Sequence, residues 1–139
     1  MKKIIDVPQG VSRVYFQSGR QLRFQDLDEL QWYCFLQLSN QQLQPPSRRI
    51  TPGYFLVKGL WRYRDVVNAN LYRVAALFWL WRNRDVSSFT YLWHLRLQNV
   101  DQPEVKALEC GYFGESEEVE WPGIIRLNQV LGALVRLEK

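Results

Sequence analysis

The sequence predicts a mainly β chain, α+β through one N-terminal helix, whose strands close into a small antiparallel barrel. Three observations lead there. Period-two alternation of apolar and polar side chains recurs from residue 54 onward. Short turn signals separate the alternating runs, and an antiparallel sheet so joined must bury one face by curling on itself. A length of 139 residues with 47% apolar and 23% charged side chains allows one sizeable core. We therefore read 1–139 as a single domain: strand plus helix over 1–44, a Pro-rich intradomain loop over 45–53, and an antiparallel sheet over 54–139.

The elements follow in chain order. Val11 to Gln17 is β-branched and aromatic and closes at Ser18-Gly19, a strand and its turn. Asp26 or Asp28 can cap a helix with Glu29 in its first turn, because Leu27, Leu30, Cys34 (or Phe35) and Leu38 recur at helical spacing. Ser39 to Pro52 is an irregular connector: Pro45-Pro46 forbids helix, and Pro52-Gly53 is a turn. The strand Tyr54 to Arg64 sets Phe55, Val57, Gly59, Trp61 and Tyr63 on one side. Tyr54, Leu56, Lys58, Leu60, Arg62 and Arg64 fall on the other.

Asp65 to Asn70 then turns into Leu71 to Arg82, where Arg73, Trp79 and Trp81 oppose an apolar face of Tyr72, Val74, Ala76, Phe78 and Leu80. A helix capped by Asp65, with Val67, Leu71, Val74, Ala75 and Phe78 as its stripe, fits the same residues, and periodicity does not separate the two. Phe89 to Gln98 alternates most cleanly, with Phe89, Tyr91, Trp93, Leu95 and Leu97 on one face. Asn99 to Glu104 turns the chain, Val105 to Phe113 is a further strand, and 114–123 is an acidic loop. Leu131, Ala133, Val135 and Leu137 alternate, and Gly132 counts against a helix, so Val130 to Leu137 reads as a closing strand.

Charge is laid out in blocks. Residues 48–84 carry eight basic side chains against Asp65 alone, and residues 101–120 carry seven carboxylates against Lys106. Arginine supplies 13 of the 18 cations, and its planar fork suits phosphate, carboxylate and aromatic stacking. The plainer alternative is that the two blocks neutralise each other within the molecule. Cys34 and Cys110 are far apart in sequence with no C-x-x-C spacing, which predicts neither zinc nor a redox pair; Cys34 reads as an inert buried thiol. Reduced thiols, and an N-terminal apolar stretch cut by Asp6 and Pro8, point to the cytoplasm. No run approaches the roughly 20 apolar residues of a spanning helix, so no membrane association is expected.

Catalytic chemistry finds no support. His94 is the only histidine and has no ligating neighbour, so it reads as a structural or surface residue. No P-loop, G-x-S-x-G, G-x-G-x-x-G or H-E-x-x-H occurs, and neither an enzyme nor a cofactor is expected. Asp26 with Asp28 suits a helix start, and Glu117 with Glu118 a solvated run.

What remains is arginine interleaved with aromatics: Trp61-Arg62-Tyr63-Arg64, Tyr72-Arg73, and Trp79-Leu80-Trp81-Arg82-Asn83-Arg84. Phosphates need cations, and bases gain about 1–3 kcal/mol each by stacking on a ring. The expected function is thus a non-enzymatic module for single-stranded DNA or RNA. Lys58, Arg62, Arg64, Arg73, Arg82, Arg84 and Arg96 would supply cations, and Trp79 and Trp81 the stacking surfaces, while Trp61 and Trp93 belong to the core. Oligonucleotide-binding (OB) barrels use such a face, an analogy of architecture only. The alternative is an adaptor or subunit that docks a protein partner, or forms a homodimer, through an exposed Trp/Arg surface, with the acidic run Glu115 to Glu120 as guide. A small-molecule carrier is a third reading.

Overall fold

The computed structural model describes residues 3–28, 31–39, 46–67, 88–114, 121–133 and 135–138, with backbone alone for 63–67, 88–90 and 113–114. Eight strands and one α-helix lie within them: β1 (Ile5–Val7), β2 (Arg13–Gln17), β3 (Arg20–Leu22), β4 (Tyr33–Leu38), β5 (Arg48–Ile50), β6 (Leu56–Val67), β7 (Ser88–Gln98), β8 (Val105–Gly114) and α1 (Ile124–Leu131). A single 3-10 turn, Phe24–Asp26, follows β3. Strands β1 and β5 pair alone, and the other six form one antiparallel sheet in the order β3-β2-β4-β8-β7-β6.

The mainly β expectation holds, but neither sheet closes into a barrel among the described residues. The large sheet buries one face by a different device, a covering layer. Val14, Leu36, Leu108 and Leu95 form a row across β2, β4, β8 and β7, beside Phe16, Cys34 and Cys110. Over this face lie Ile5 and Val7 of β1, Ile50 of β5, Leu127, Val130 and Leu131 of α1, and Val135. Polar side chains tie the layer down through backbone groups. Arg48 donates to the carbonyls of Ser39 and Val11, and Gln102 both accepts from the Thr51 N–H (2.8 Å) and donates to the Thr51 carbonyl (3.1 Å).

The N-terminal helix is not formed. Cys34, Leu36 and Leu38 face the core as alternate residues of β4, a central strand between β2 and β8. The closing strand is also corrected: Ile124–Leu131 is helical, and Gly132 ends it at φ 67°, ψ −144°, a conformation essentially reserved to glycine. Asn128 then pins the following segment, donating to the Leu137 carbonyl (3.0 Å) and accepting from its N–H (2.7 Å). Asp65 lies inside β6 and caps no helix, and the connector before residue 52 contains β5. The predicted segment Leu71 to Arg82 and the acidic run Glu115 to Glu120 lie outside the described residues.

The cysteines overturn their expectation as well. Cys34 and Cys110 are opposed on β4 and β8 and joined in a disulfide across a sequence separation of 76. Placement in the cytoplasm rested on reduced thiols and loses that support, since disulfides persist mainly in oxidising compartments. No described helix is long and apolar enough to cross a membrane.

Candidate binding face

Register decides which side chains share a face, because paired residues of neighbouring antiparallel strands project to the same side. The row Cys34, Cys110, Trp93 and Arg62 belongs to the covered face; the next row, Tyr15, Phe35, Glu109, His94 and Trp61, belongs to the opposite one. Ring contacts agree with that parity. The Arg62 guanidinium lies 5.6 Å from the Trp93 ring centroid and 5.7 Å from that of Trp121, while Trp61 meets His94 at 5.4 Å. The expected grouping is therefore corrected: Trp61 is not core with Trp93 but 50% exposed on the other side of the sheet.

That other face carries aromatic rings at its two ends. At one end Phe24, from the 3-10 turn, lies against Tyr15 at 5.5 Å, and Tyr15 against Phe35 at 5.3 Å. Tyr33 adds a stacked contact to Phe35 and lies over Gly111, where a Cβ would stand 3.1 Å from its ring. Arg13 caps the group with its guanidinium 5.1 Å from the Phe35 centroid. At the far end the Trp61 indole lies back over Gly59, where a Cβ would stand 2.5 Å from Cη2. Glycine at 59 is what lets the indole lie down.

Between the two ends sits one hydrogen-bonded pair. His94 Nδ1 is 3.1 Å from Glu109 Oε1, with side chains 29% and 13% exposed. The Glu109 carboxylate is thus turned to an imidazole rather than to solvent, and the imidazole is tilted at 60° to Trp61. Phe35 on β4 and Trp61 on β6 are separated by three strand spacings of about 4.8 Å. The face so built can stack planar groups at two stations and offers Arg13 and Arg96 as exposed cations.

Of the residues expected to form one basic patch, Arg62 and Arg96 project from opposite faces of the sheet. Arg96 is on the aromatic outer face, three residues along β7 from Trp93. Arg62 is on the covered face, and Arg64 occupies the register position opposite Tyr91. Lys58 is exposed at a bulge between Val57 and Gly59, where the β6 register shifts. Arg73, Trp79, Trp81, Arg82 and Arg84 lie outside the described residues. Two more of the basic block are engaged: Arg48 as above, and Arg49 with Asp6 at 3.0 Å.

Sequence reasoning missed Arg13, Tyr15, Phe24, Tyr33 and Trp61 as groups of this face, and Phe35 as the buried ring that Arg13, Tyr15 and Tyr33 contact. The signal available was Gly59 two residues before Trp61, a small residue where a ring could lie flat. No protein-family model, curated protein or solved structure matches the chain.

Proposed function

We propose that the protein is a non-enzymatic binding module that holds single-stranded nucleic acid against the outer face of its six-stranded sheet. The observation that carries this reading is the pair of aromatic stations, Tyr15/Phe24/Phe35 under Arg13 and Trp61 over Gly59, on the face opposite the core. Stacking accepts any base because every base has a π-face, and nearby guanidiniums meet the phosphates. The platform resembles that of OB barrels in principle, on an open sheet rather than a closed one. Arg13 and Arg96 carry phosphate contacts, and Trp61 and Phe24 carry stacking.

The test is fluorescence anisotropy of a labelled oligonucleotide over a salt series. Log affinity should fall against log salt by about 0.7 for each phosphate neutralised on a single strand. Arg13→Gln with Arg96→Gln should flatten that slope by between one and two such increments. A salt-independent affinity, or an unchanged slope in the double variant, overturns the reading.

A second reading has its own observation. β6 is twelve residues long and has β7 as its one partner among the described strands, with Leu56, Val57 and Leu60 exposed. Such an edge invites an added strand from a protein partner or a second copy, and Lys58 and Arg62 then select an acidic one. Sedimentation at micromolar concentration separates this outcome from a monomer.

A further inference from the structure

On the other side of the sheet, where the β2–β3 turn meets α1, lies a cleft of about 500 Å³ lined by Ser18, Gln31, Trp32, Tyr112, Arg126, Gln129 and Val130. That volume is within the range of small-ligand sites. Its walls are fixed by backbone. The Gly19 N–H donates to the Val130 carbonyl at 2.9 Å, and a Cβ on Gly132 would stand 2.5 Å from the Gly19 Cα, so turn and helix end are in close contact. Gln17, buried, bonds the Asp28 N–H and carbonyl (2.9 and 2.7 Å) and donates to the Gln31 carbonyl (3.4 Å), which ties Gln31 to the end of β2. The cleft is thus built before any ligand arrives.

Ser18 is a second, independent sign. It is the one non-glycine with positive φ (51°) among the described residues, in a two-residue turn with Gly19 (φ 78°) where asparagine or glycine sits without strain. Side chains other than these pay for that conformation, and such outliers gather at functional sites. Here the residue in that conformation is part of the cleft lining.

The lining chemistry narrows the ligand. Trp32 and Tyr112 stack at 5.4 Å and 25° and supply a flat apolar wall. Gln31 Nε2 donates to Asp28 Oδ2 at 2.9 Å and Gln129 Oε1 accepts from Arg126 at 3.4 Å; each amide has further donor and acceptor capacity, which with the Ser18 hydroxyl matches hydroxyl groups, themselves donors and acceptors. Among the described residues Arg126 is the one charged member of the lining, and its guanidinium fork matches one carboxylate. With a single cation, the site is poorly matched to a nucleotide's several phosphate charges. We propose that the cleft binds a monoanionic sugar of the uronic-acid class. The apolar face of the ring rests on the Trp32/Tyr112 wall, the carboxylate meets Arg126, and ring hydroxyls meet Gln31, Gln129 and Ser18. This site is separate from the outer face and stands or falls without it.

The test is an amide and indole NMR titration of the full chain with glucuronate, glucose and benzoate in parallel. Glucuronate should shift the Trp32 indole N–H and the Gln129 and Ser18 amides saturably, and bind about fivefold more tightly than glucose. That is the upper end of what an exposed charged pair contributes. Arg126→Gln, at an exposed position, should bring glucuronate down to the glucose value, and Gln129→Ala should weaken both sugars alike. Tighter binding of benzoate than of glucuronate, shifts that avoid Trp32, equal affinity of wild type for the two sugars, or no saturable shift overturns the proposal.

Discussion

Glycine at position 59 is the sharpest lever on the outer face. A methyl group there would stand 2.5 Å from Cη2, 2.9 Å from Cζ3 and 3.1 Å from Cζ2 of Trp61, so in Gly59→Ala the indole must lift away from the sheet. The indole is the end of a flexible side chain and already half exposed, so losing its rest costs about 1 kcal/mol of buried apolar area. Alanine in place of glycine within a strand returns roughly 0.5–1 kcal/mol of backbone entropy. The two nearly cancel, and the urea midpoint should move little. Binding should move much more. Deleting the ring in Trp61→Ala removes about 1–3 kcal/mol of base stacking, a loss of roughly 5- to 150-fold, and Gly59→Ala should lose a large part of that. The double variant should equal Trp61→Ala, because there is no ring left to displace. Anisotropy with a labelled oligothymidylate, alongside urea denaturation of each variant, reads both quantities. Wild-type affinity in Gly59→Ala, or losses that add in the double variant, would refute the geometry of the station.

Three further outcomes test the frame beneath that face. Reducing the Cys34–Cys110 disulfide, or replacing both residues by alanine, should cost roughly 4 kcal/mol in urea unfolding, the loop entropy for a separation of 76. Gly132→Ala forces a side chain into φ 67° and onto the Gly19 Cα, 2.5 Å away; its melting temperature should fall by several degrees, far more than for Gly123→Ala, where a Cβ meets nothing. Gln102→Leu leaves both Thr51 backbone groups without their partner at a site that is 6% exposed, and should cost about 1–3 kcal/mol by the same denaturation.

Local pattern was enough for β2 with its Ser18-Gly19 turn, and for β7 and β8, because each is bounded by turn signals within its own residues; for β6 it found the strand but set its end at Asp65, which lies inside it. It failed where partners are remote. Tyr33 to Leu38 carries apolar groups on both faces, as a central strand does, so period two is masked and the spacing of Leu27, Leu30, Cys34 and Leu38 mimics a helix. Its true partner, β8, lies some 70 residues downstream. Gly132 was read as an interruption within an element when it is the end of one, and only its backbone conformation tells the difference. The aromatic face was hidden by register. Odd residues read as the apolar set in both β6 and β7, yet beyond the bulge after Val57 it is Arg62 that opposes Trp93 and Trp61 that opposes His94, so from Gly59 on the two sets fall on opposite sides of the sheet. Single strands cannot announce that sum. The disulfide escaped for the same reason, being a product of strand pairing rather than of spacing.

The most direct measurement is an amide and indole NMR map of the full chain titrated with an unstructured oligonucleotide. The account predicts saturable shifts at Arg13, Phe35, His94, Arg96 and the Trp61 indole N–H, while the backbone of α1 and of β1 stays put. Shifts confined to α1 and the covered side, or an unperturbed Trp61 at saturating oligonucleotide, would contradict it.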